Sequence, residues 1–483
     1  MPSCEPWKTY ARWGQDYKAP VISFRVYNRH IVVLNTAESM TNLLEKKADI
    51  YSDRPMSWMY NVICDRGKAI FNISSSDPHH KQYRKLLQTG LGIRAIRGYL
   101  PLIQRESRRL AQGLLQNPDD FVTHVQRNSA AVIMKVAFGY TIRDDDPFIQ
   151  VANEASKISG WATEPGRWLV DHHPIIRFIP SWFPGAGWKR QGLAWRDRLR
   201  YLAEIPHQWI KEQMEAGTHS ESFTSKLLRP DGRERCSAEE EEVIKWCAGA
   251  LYAGAGDTTV AAIISFILLM ALNPEVQKKA QQEIRDAFGD ALWDILEQEH
   301  HSTGNMTMTQ APPIRRTEVR HEELQDNVDL SRISRLPYLN AIMKEVLRFA
   351  PVGNLALPHR VTEEDTYGDY RIPKNATVIG NVWAVMHDPN MYPDPFTFAP
   401  ERFIRSQFTS EIQPDPRQWA FGFGKRACPG THFAETTMLF AMFNILSQST
   451  ISLPKETSRP ALEYTTGITS HIKPFPIVVE HRN

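Results

Sequence analysis

The sequence predicts a mainly α-helical fold with small β-sheets, and three observations predict it. Apolar residues recur at helical spacing through most of the chain from Ala37 onward. β-Branched, partly alternating stretches are confined to Val21–Asn35, Leu357–Gly380 and Ile477–Glu480. The composition is globular: of 483 residues, 42% are hydrophobic and 23% charged, enough to bury a sizeable core.

In chain order, Val21–Asn35 reads as a hairpin, with Asn28, Arg29 and His30 as its turn. Helical spacing then covers Ala37–Lys46, Pro78–Leu91, Arg94–Leu115, Asp120–Phe138, Pro147–Ile158 and Gln191–Glu215. Pro101 and Pro206 are expected to kink or divide two of these helices. Further helices follow at Ala238–Leu272, Pro274–Phe288 and Tyr338–Phe349. Leu357–Gly380 reads as short strands and turns, and a helix after Cys428 precedes a final strand at Ile477–Glu480. Asp290–Asp329 is polar and aperiodic, which predicts a mobile surface insertion.

Charge and cysteine usage exclude several classes. Lysine and arginine number 57 against 55 aspartates and glutamates, so there is no footprint for nucleic acid. The five cysteines, Cys4, Cys64, Cys236, Cys247 and Cys428, are scattered without a CxxC pair, which argues against a disulfide framework or a cysteine zinc site and fits a reducing compartment. The first twenty residues have no apolar run, so neither a signal peptide nor an N-terminal membrane anchor is expected. The cleanest apolar stretch, Val260–Leu272, is shorter than the roughly 20 residues that span a bilayer and reads as a buried core helix.

The strongest chemical signal is FGFGKRACPG, residues 421–430. Its glycines let the backbone fold tightly against a flat ligand. Cys428 stands just before a helix N-terminus, where the dipole favours a thiolate, and Pro429 suits the first turn. Backbone N–H groups around the sulfur would tune its electron donation. A buried cysteine beside a glycine turn is the bland alternative. Against it stand five matching positions within ten residues: Phe421, Gly424, Arg426, Cys428 and Gly430.

That string resembles the haem-binding loop of the cytochrome P450 family, FxxGxRxCxG, and the likeness extends from about Trp7 to the C-terminus. It looks most like fungal microsomal members of secondary metabolism. The resemblance implies a cytochrome P450 fold as a single large catalytic domain over residues 1–483. It also implies haem b with Cys428 as axial thiolate, and Phe421, Gly424, Arg426 and Gly430 around the cofactor. It further implies a monooxygenase that uses O2 and NADPH-derived electrons on a hydrophobic small molecule.

Three weaker elements gain meaning from that frame. Glu345 and Arg348 share a helix face at i and i+3. The resemblance makes them an ExxR motif, joined by Arg402 of Pro400–Phe403 in a folding role. GAGDTT, Gly254–Thr259, puts an acid and two threonines inside an apolar helix, where polar groups need partners. Threonine bonding back to a helix carbonyl is one account. The resemblance offers another, with Asp257 and Thr258 as the acid–alcohol pair that delivers protons for oxygen activation; here Ala255 and Gly256 stand in the reverse of the family's usual order. Finally, Arg84 and His359 match basic positions that contact the haem carboxylates, as does Arg426, while His80 replaces the family's usual tryptophan.

The expected electron donor is NADPH-cytochrome P450 reductase, received near Lys81, Lys85 and Lys425. Trp182, Phe183 and Trp188 in Phe178–Arg190 suggest peripheral membrane contact, substrate entrance or packing. The expected location is the cytoplasmic side, in association with the endoplasmic reticulum. Rival readings are a haem-thiolate isomerase or dehydratase, and a haem-binding protein without turnover.

Overall fold

The computed structural model describes residues 2, 4–143, 146–164, 166–229, 236–289, 330–405, 411–455, 460 and 462–482. The expected insertion at Asp290–Asp329 lies outside the described residues. The longer helices are α1 (Pro6–Asp16), α2 (Pro78–Leu91), α3 (Ile93–Gln116), α4 (Phe121–Phe138) and α5 (Pro147–Ala162). They continue as α6 (Gly187–Glu215), α7 (Ala238–Leu272), α8 (Pro274–Phe288), α9 (Pro337–Phe349) and α10 (Thr431–Gln448).

The sheets are small and sit where the alternation placed them. Strands β1 (Val21–Val26) and β2 (Arg29–Leu34) form the hairpin, while β3 (His359–Arg360), β4 (Asp365–Tyr367), β5 (Tyr370–Ile372) and β6 (Thr377–Gly380) follow α9. The four-stranded sheet has the order β1-β2-β6-β3. β2 and β6 pair in parallel, Ile31 opposite Thr377, although some 340 residues separate them in the chain. A second pair, β7 (Ser449–Ser452) with β8 (Val478–His481), closes the C-terminus.

α7 forms the axis of the core. A capping box starts it: the Ser237 hydroxyl accepts from Glu240 N–H while the Glu240 carboxylate accepts from Ser237 N–H. Every residue from Thr259 to Met270 is buried, so this half is apolar on all sides, and it packs against α4, α6 and α10. Among the described residues it is the one helix long and apolar enough to cross a membrane, and two thirds of its apolar window is buried inside the protein.

Two local expectations change. Pro101 and Pro206 do not divide α3 and α6, which run through them, so of the two expected effects division is excluded. Ala37–Lys46 is α-helical only over Ala37–Met40 and then widens, with Lys46 N–H bonding the Thr41 carbonyl five residues back.

Candidate haem and oxygen-activation site

The ExxR helix is locked before any cofactor is considered. Glu345 and Arg348 are fully buried on α9, joined by Nε–Oε2 and Nη2–Oε1 bonds of 2.7 and 2.8 Å. Arg402 adds a bond of 3.1 Å to Glu345 Oε1, and the Ala399 N–H adds one of 2.9 Å. The remaining guanidinium donors go to the carbonyls of Met386, Pro395, Pro393 and Thr397 and to Gln413. The folding role expected of this triad matches a network in which each charge has partners.

The cysteine loop is shaped by glycine and anchored on its neighbours. Gly424 has φ +51°, and a Cβ there would stand 2.6 Å from Ala48 Cβ and 2.8 Å from the Leu44 carbonyl, so a larger residue would force the loop off. Cys428 N–H bonds the Phe421 carbonyl at 2.7 Å, and the Thr431 hydroxyl bonds the Cys428 carbonyl at 3.0 Å. Gly430 begins α10; a Cβ on it would lie 3.8 Å from the sulfur and 3.4 Å from Leu91.

Cys428 is accessible, yet burial pushes its thiol up. The Gly430 N–H, Arg84 and the Thr431 hydroxyl oppose that shift without overcoming it. A coordinating metal would deprotonate such a thiol outright. An accessible side chain under a desolvating shell leaves a hollow beside the sulfur.

Basic groups from four parts of the chain converge beside that hollow. Arg426 donates to the carbonyls of Ser52, Ile70 and Ile73. Arg54 donates to those of Phe71, Leu357 and Pro358 at 2.8–3.1 Å. Arg84 bonds the Ala427 carbonyl, next to Cys428. Burial, reinforced by Arg426, pushes Arg54 down to about 9, and burial pushes Arg426 down to about 10. Burial with Arg426, Arg84 and Arg54 pushes His80 down to about 4; burial with Arg54 pushes His359 down to about 3.

The carboxylate nearest this cluster, Asp53, is held by Arg360 and the Ser75 N–H. His80 Nε2 and Ser52 Oγ are buried without a hydrogen-bond partner. His359 Nδ1 donates to the Tyr51 carbonyl at 2.7 Å, which leaves Nε2 for another group. A crowded set of cations with spare donors fits a ligand that brings two carboxylates of its own. Arg54 was missed from the sequence, where a lone arginine in SDRP carries no signal.

The segment Ile70–Ile73 links this cluster to α7. Its carbonyls receive Arg426 and Arg54, and the Phe71 ring lies 3.4 Å from where a Gly254 Cβ would be. A Cβ on Gly256 would meet nothing within 4 Å. Ala253 and Thr258 are exposed and Gly254–Asp257 between them half-buried, which opens the helix face beside Phe71. The donor set, the sulfur and the open helix face together accommodate a flat dianionic macrocycle.

Asp257 and Thr258 point to different places, as adjacent helix residues must. The Thr258 hydroxyl donates to the Gly254 carbonyl at 2.6 Å, which leaves its oxygen free to accept. Asp257 instead meets His471 Nε2 at 3.0 Å and the Ser156 hydroxyl of α5 at 3.3 Å. Burial pushes its carboxyl up, but bonds from His471, Thr469 and Ser156 outweigh it and hold the group below the usual range. Ser129 of α4 donates to the Ala255 carbonyl at 3.0 Å, fixing the helix beside the reversed Ala255–Gly256 pair. Neither His471 nor Ser156 was suggested by sequence.

A helical core around one long axis, a cysteine loop capping a helix and a cationic cradle beside it define a haem-thiolate protein. Comparison with known proteins gives the family. The cytochrome P450 family model matches residues 4–312 and 316–479, and the chain belongs to that family. It is 34% identical to cytochrome P450 monooxygenase 208 of Postia placenta, covering 100% of this chain and 87% of that one. It is 33% identical to cytochrome P450 monooxygenase claR of Ampulloclitocybe clavipes (100% and 84%) and 32% identical to tryptamine 4-monooxygenase of Psilocybe cyanescens (98% and 88%). A zebra fish cytochrome P450 structure with progesterone superposes with a TM-score of 0.73 at 19% identity over the full length of both chains. The protein is a haem-thiolate monooxygenase, served by a redox partner and acting on a hydrophobic substrate with O2.

Proposed function

We propose a single catalytic domain over residues 1–483 that oxygenates a hydrophobic small molecule in fungal secondary metabolism, with electrons from NADPH-cytochrome P450 reductase. Cys428 supplies the iron's thiolate, while Arg54, Arg84, Arg426 and His359 receive the haem carboxylates and Phe421, Gly424 and Gly430 shape the loop. The observation that carries this reading is the convergence of Cys428 with basic groups that lack a carboxylate of their own. Haem supplies the oxygen chemistry when bound. The chain's own part is to orient and protonate: Thr258 offers an acceptor oxygen to the hollow, and Asp257 connects that face to the outside.

Cys428→Ser replaces a soft donor by a poor one and is expected to abolish the thiolate-type carbon-monoxide spectrum. Retention of that spectrum at full occupancy would refute the assignment. Thr258→Ala is expected to keep haem and consume NADPH while releasing peroxide in place of product. Asp257→Asn should slow the whole cycle, since positioned acid–base groups contribute about 10²–10⁴-fold. Unchanged coupling in Thr258→Ala would move the proton path elsewhere.

The finer partner assignments rest on the surface. Lys81, Lys85 and Lys425 are exposed on the side of the cysteine loop, with Lys425 paired to the exposed Asp49, and suit an acidic reductase. Ile175, Phe178, Trp182 and Phe183 are exposed in one stretch of chain beside Arg177 and Arg190, a composition suited to peripheral contact with an endoplasmic-reticulum membrane on its cytoplasmic side. Trp188 packs against the core and takes no part.

A further inference from the structure

We propose that His471 is the solvent-side member of the proton path whose inner member is Asp257. The proposal rests on the reading that Asp257 serves proton delivery and adds the group that resupplies it. His471 stands on a turn closed by the Tyr464–Ile472 bridge, far from α7 in sequence. Its N–H bonds Thr465 Oγ1 at 3.0 Å and its carbonyl receives the Thr465 N–H at 2.8 Å. The neighbouring Ser470 N–H bonds the Val352 carbonyl at 2.8 Å, which ties the turn to the segment leading to β3. The fold thus sets the ring's position, with Nε2 3.0 Å from Asp257 Oδ1.

The partners of Asp257 differ in kind. From α5 comes the Ser156 hydroxyl; from the turn come the Thr469 hydroxyl and the His471 imidazole. On α7 itself Thr258 is turned back to Gly254, and from α4 Ser129 goes to the Ala255 carbonyl. The hydroxyls can orient the carboxylate but do not exchange protons near neutrality. An imidazole does, between about pH 5 and 8. Both side chains are about a third accessible, 30% for His471 and 31% for Asp257, and His471 stands on the turn whose residues Thr465–Ile468 are exposed. Asp257 rests ionised and needs a donor in each cycle.

The transfer balances simply. The protonated imidazole gives its Nε2 proton to Asp257 Oδ1, the N–H bond breaking as the O–H bond forms, and the neutral ring takes a proton from water. Asp257 then gives its proton to a water molecule beside Thr258, its O–H bond breaking as the new one forms, and returns to the carboxylate. No electron moves in either step. His471 acts through Asp257 and is a positioning and relay residue.

The test compares full-length wild type, His471→Gln, His471→Ala and Asp257→Asn, each with haem, reductase and no added substrate. Glutamine keeps a donor for Asp257 but cannot titrate, and the reduced carbon-monoxide spectrum reports the fold. NADPH oxidation by His471→Gln, divided by wild type at each pH, cancels the reductase's own pH dependence. That ratio is expected to be about one tenth, an order short of what a directly acting acid loses. The infrared band of carbon monoxide on the reduced protein, which senses the polarity of the hollow, should differ between wild type and His471→Gln.

If Asp257→Asn is slow while His471→Gln matches wild type at every pH, the relay is wrong and the role of Asp257 survives. If only His471→Ala loses activity, His471 is merely a prop and the proposal fails. If Asp257→Asn oxidises NADPH like wild type, the underlying reading of Asp257 falls instead.

Discussion

Two clusters of buried and half-buried charge, Glu345–Arg348–Arg402 and the group of Arg54, Arg84, Arg426, His80 and His359, use the same residue types and reach opposite ends. In the first, one carboxylate receives two guanidiniums and a backbone N–H, and the arginines' other donors find carbonyls. In the second, cations crowd one another, the nearby Asp53 belongs to Arg360, and His80 Nε2 lacks a partner. A closed network belongs to the fold. An open one is a binding site for a charge that the chain does not supply.

The sharpest way to break that contrast is Glu345→Ala. It leaves Arg348 and Arg402 without their buried counter-charge, a loss expected to cost about 3–5 kcal/mol and to show as poor folding with low haem content. A variant that folds normally and loses only turnover would place the triad in catalysis.

Arg54→Ala removes one member of the open cluster and should spare the fold by comparison. The expected result is haem that leaves for a scavenger protein about 10- to 100-fold faster, the loss of about 1.5–3 kcal/mol for a charged hydrogen bond. Arg54→Lys should recover part of it. Unchanged haem release would remove Arg54 from the carboxylate cradle.

The smallest expected effect is a pH dependence of the haem-free protein. His80 stands near 4 and His359 near 3, against about 6.5 for an ordinary histidine. Between about 6.5 and 4 the unfolded chain binds protons that the folded chain refuses, so stability falls as pH falls through that window. Thermal unfolding midpoints at pH 7 and pH 5 measure the fall. Haem should lessen it, since its carboxylates offset the cations, and His80→Gln should lessen it too. A midpoint that is flat or rises on acidification would show that the cluster does not repel protons.

Much of this was legible in the sequence because it is local. The cysteine loop compresses a glycine turn, a sulfur and a helix start into ten residues, and Glu345 and Arg348 share one helix face. The all-round apolar character of Val260–Leu272 announced a core helix, and the structure buries all but its last two residues. Other features were illegible because they are made between distant segments. Arg54 meets Leu357 across some 300 residues, and His471 meets Asp257 across more than 200. Nothing near Arg54 or His471 in the chain distinguishes either from a surface residue.

By itself the sequence determined the helical class, the order of the elements and the family, and it singled out the cysteine proposed as the haem ligand, since periodicity and short motifs are properties of neighbouring residues. Tertiary structure alone decided which cations converge, that Thr258 bonds back to Gly254, and that Asp257 is held by α5 and the C-terminal turn. It also decided that burial pushes the Cys428 thiol up. Desolvation and charge–charge contact depend on what surrounds a group in space, and the chain supplies those surroundings only once it has folded.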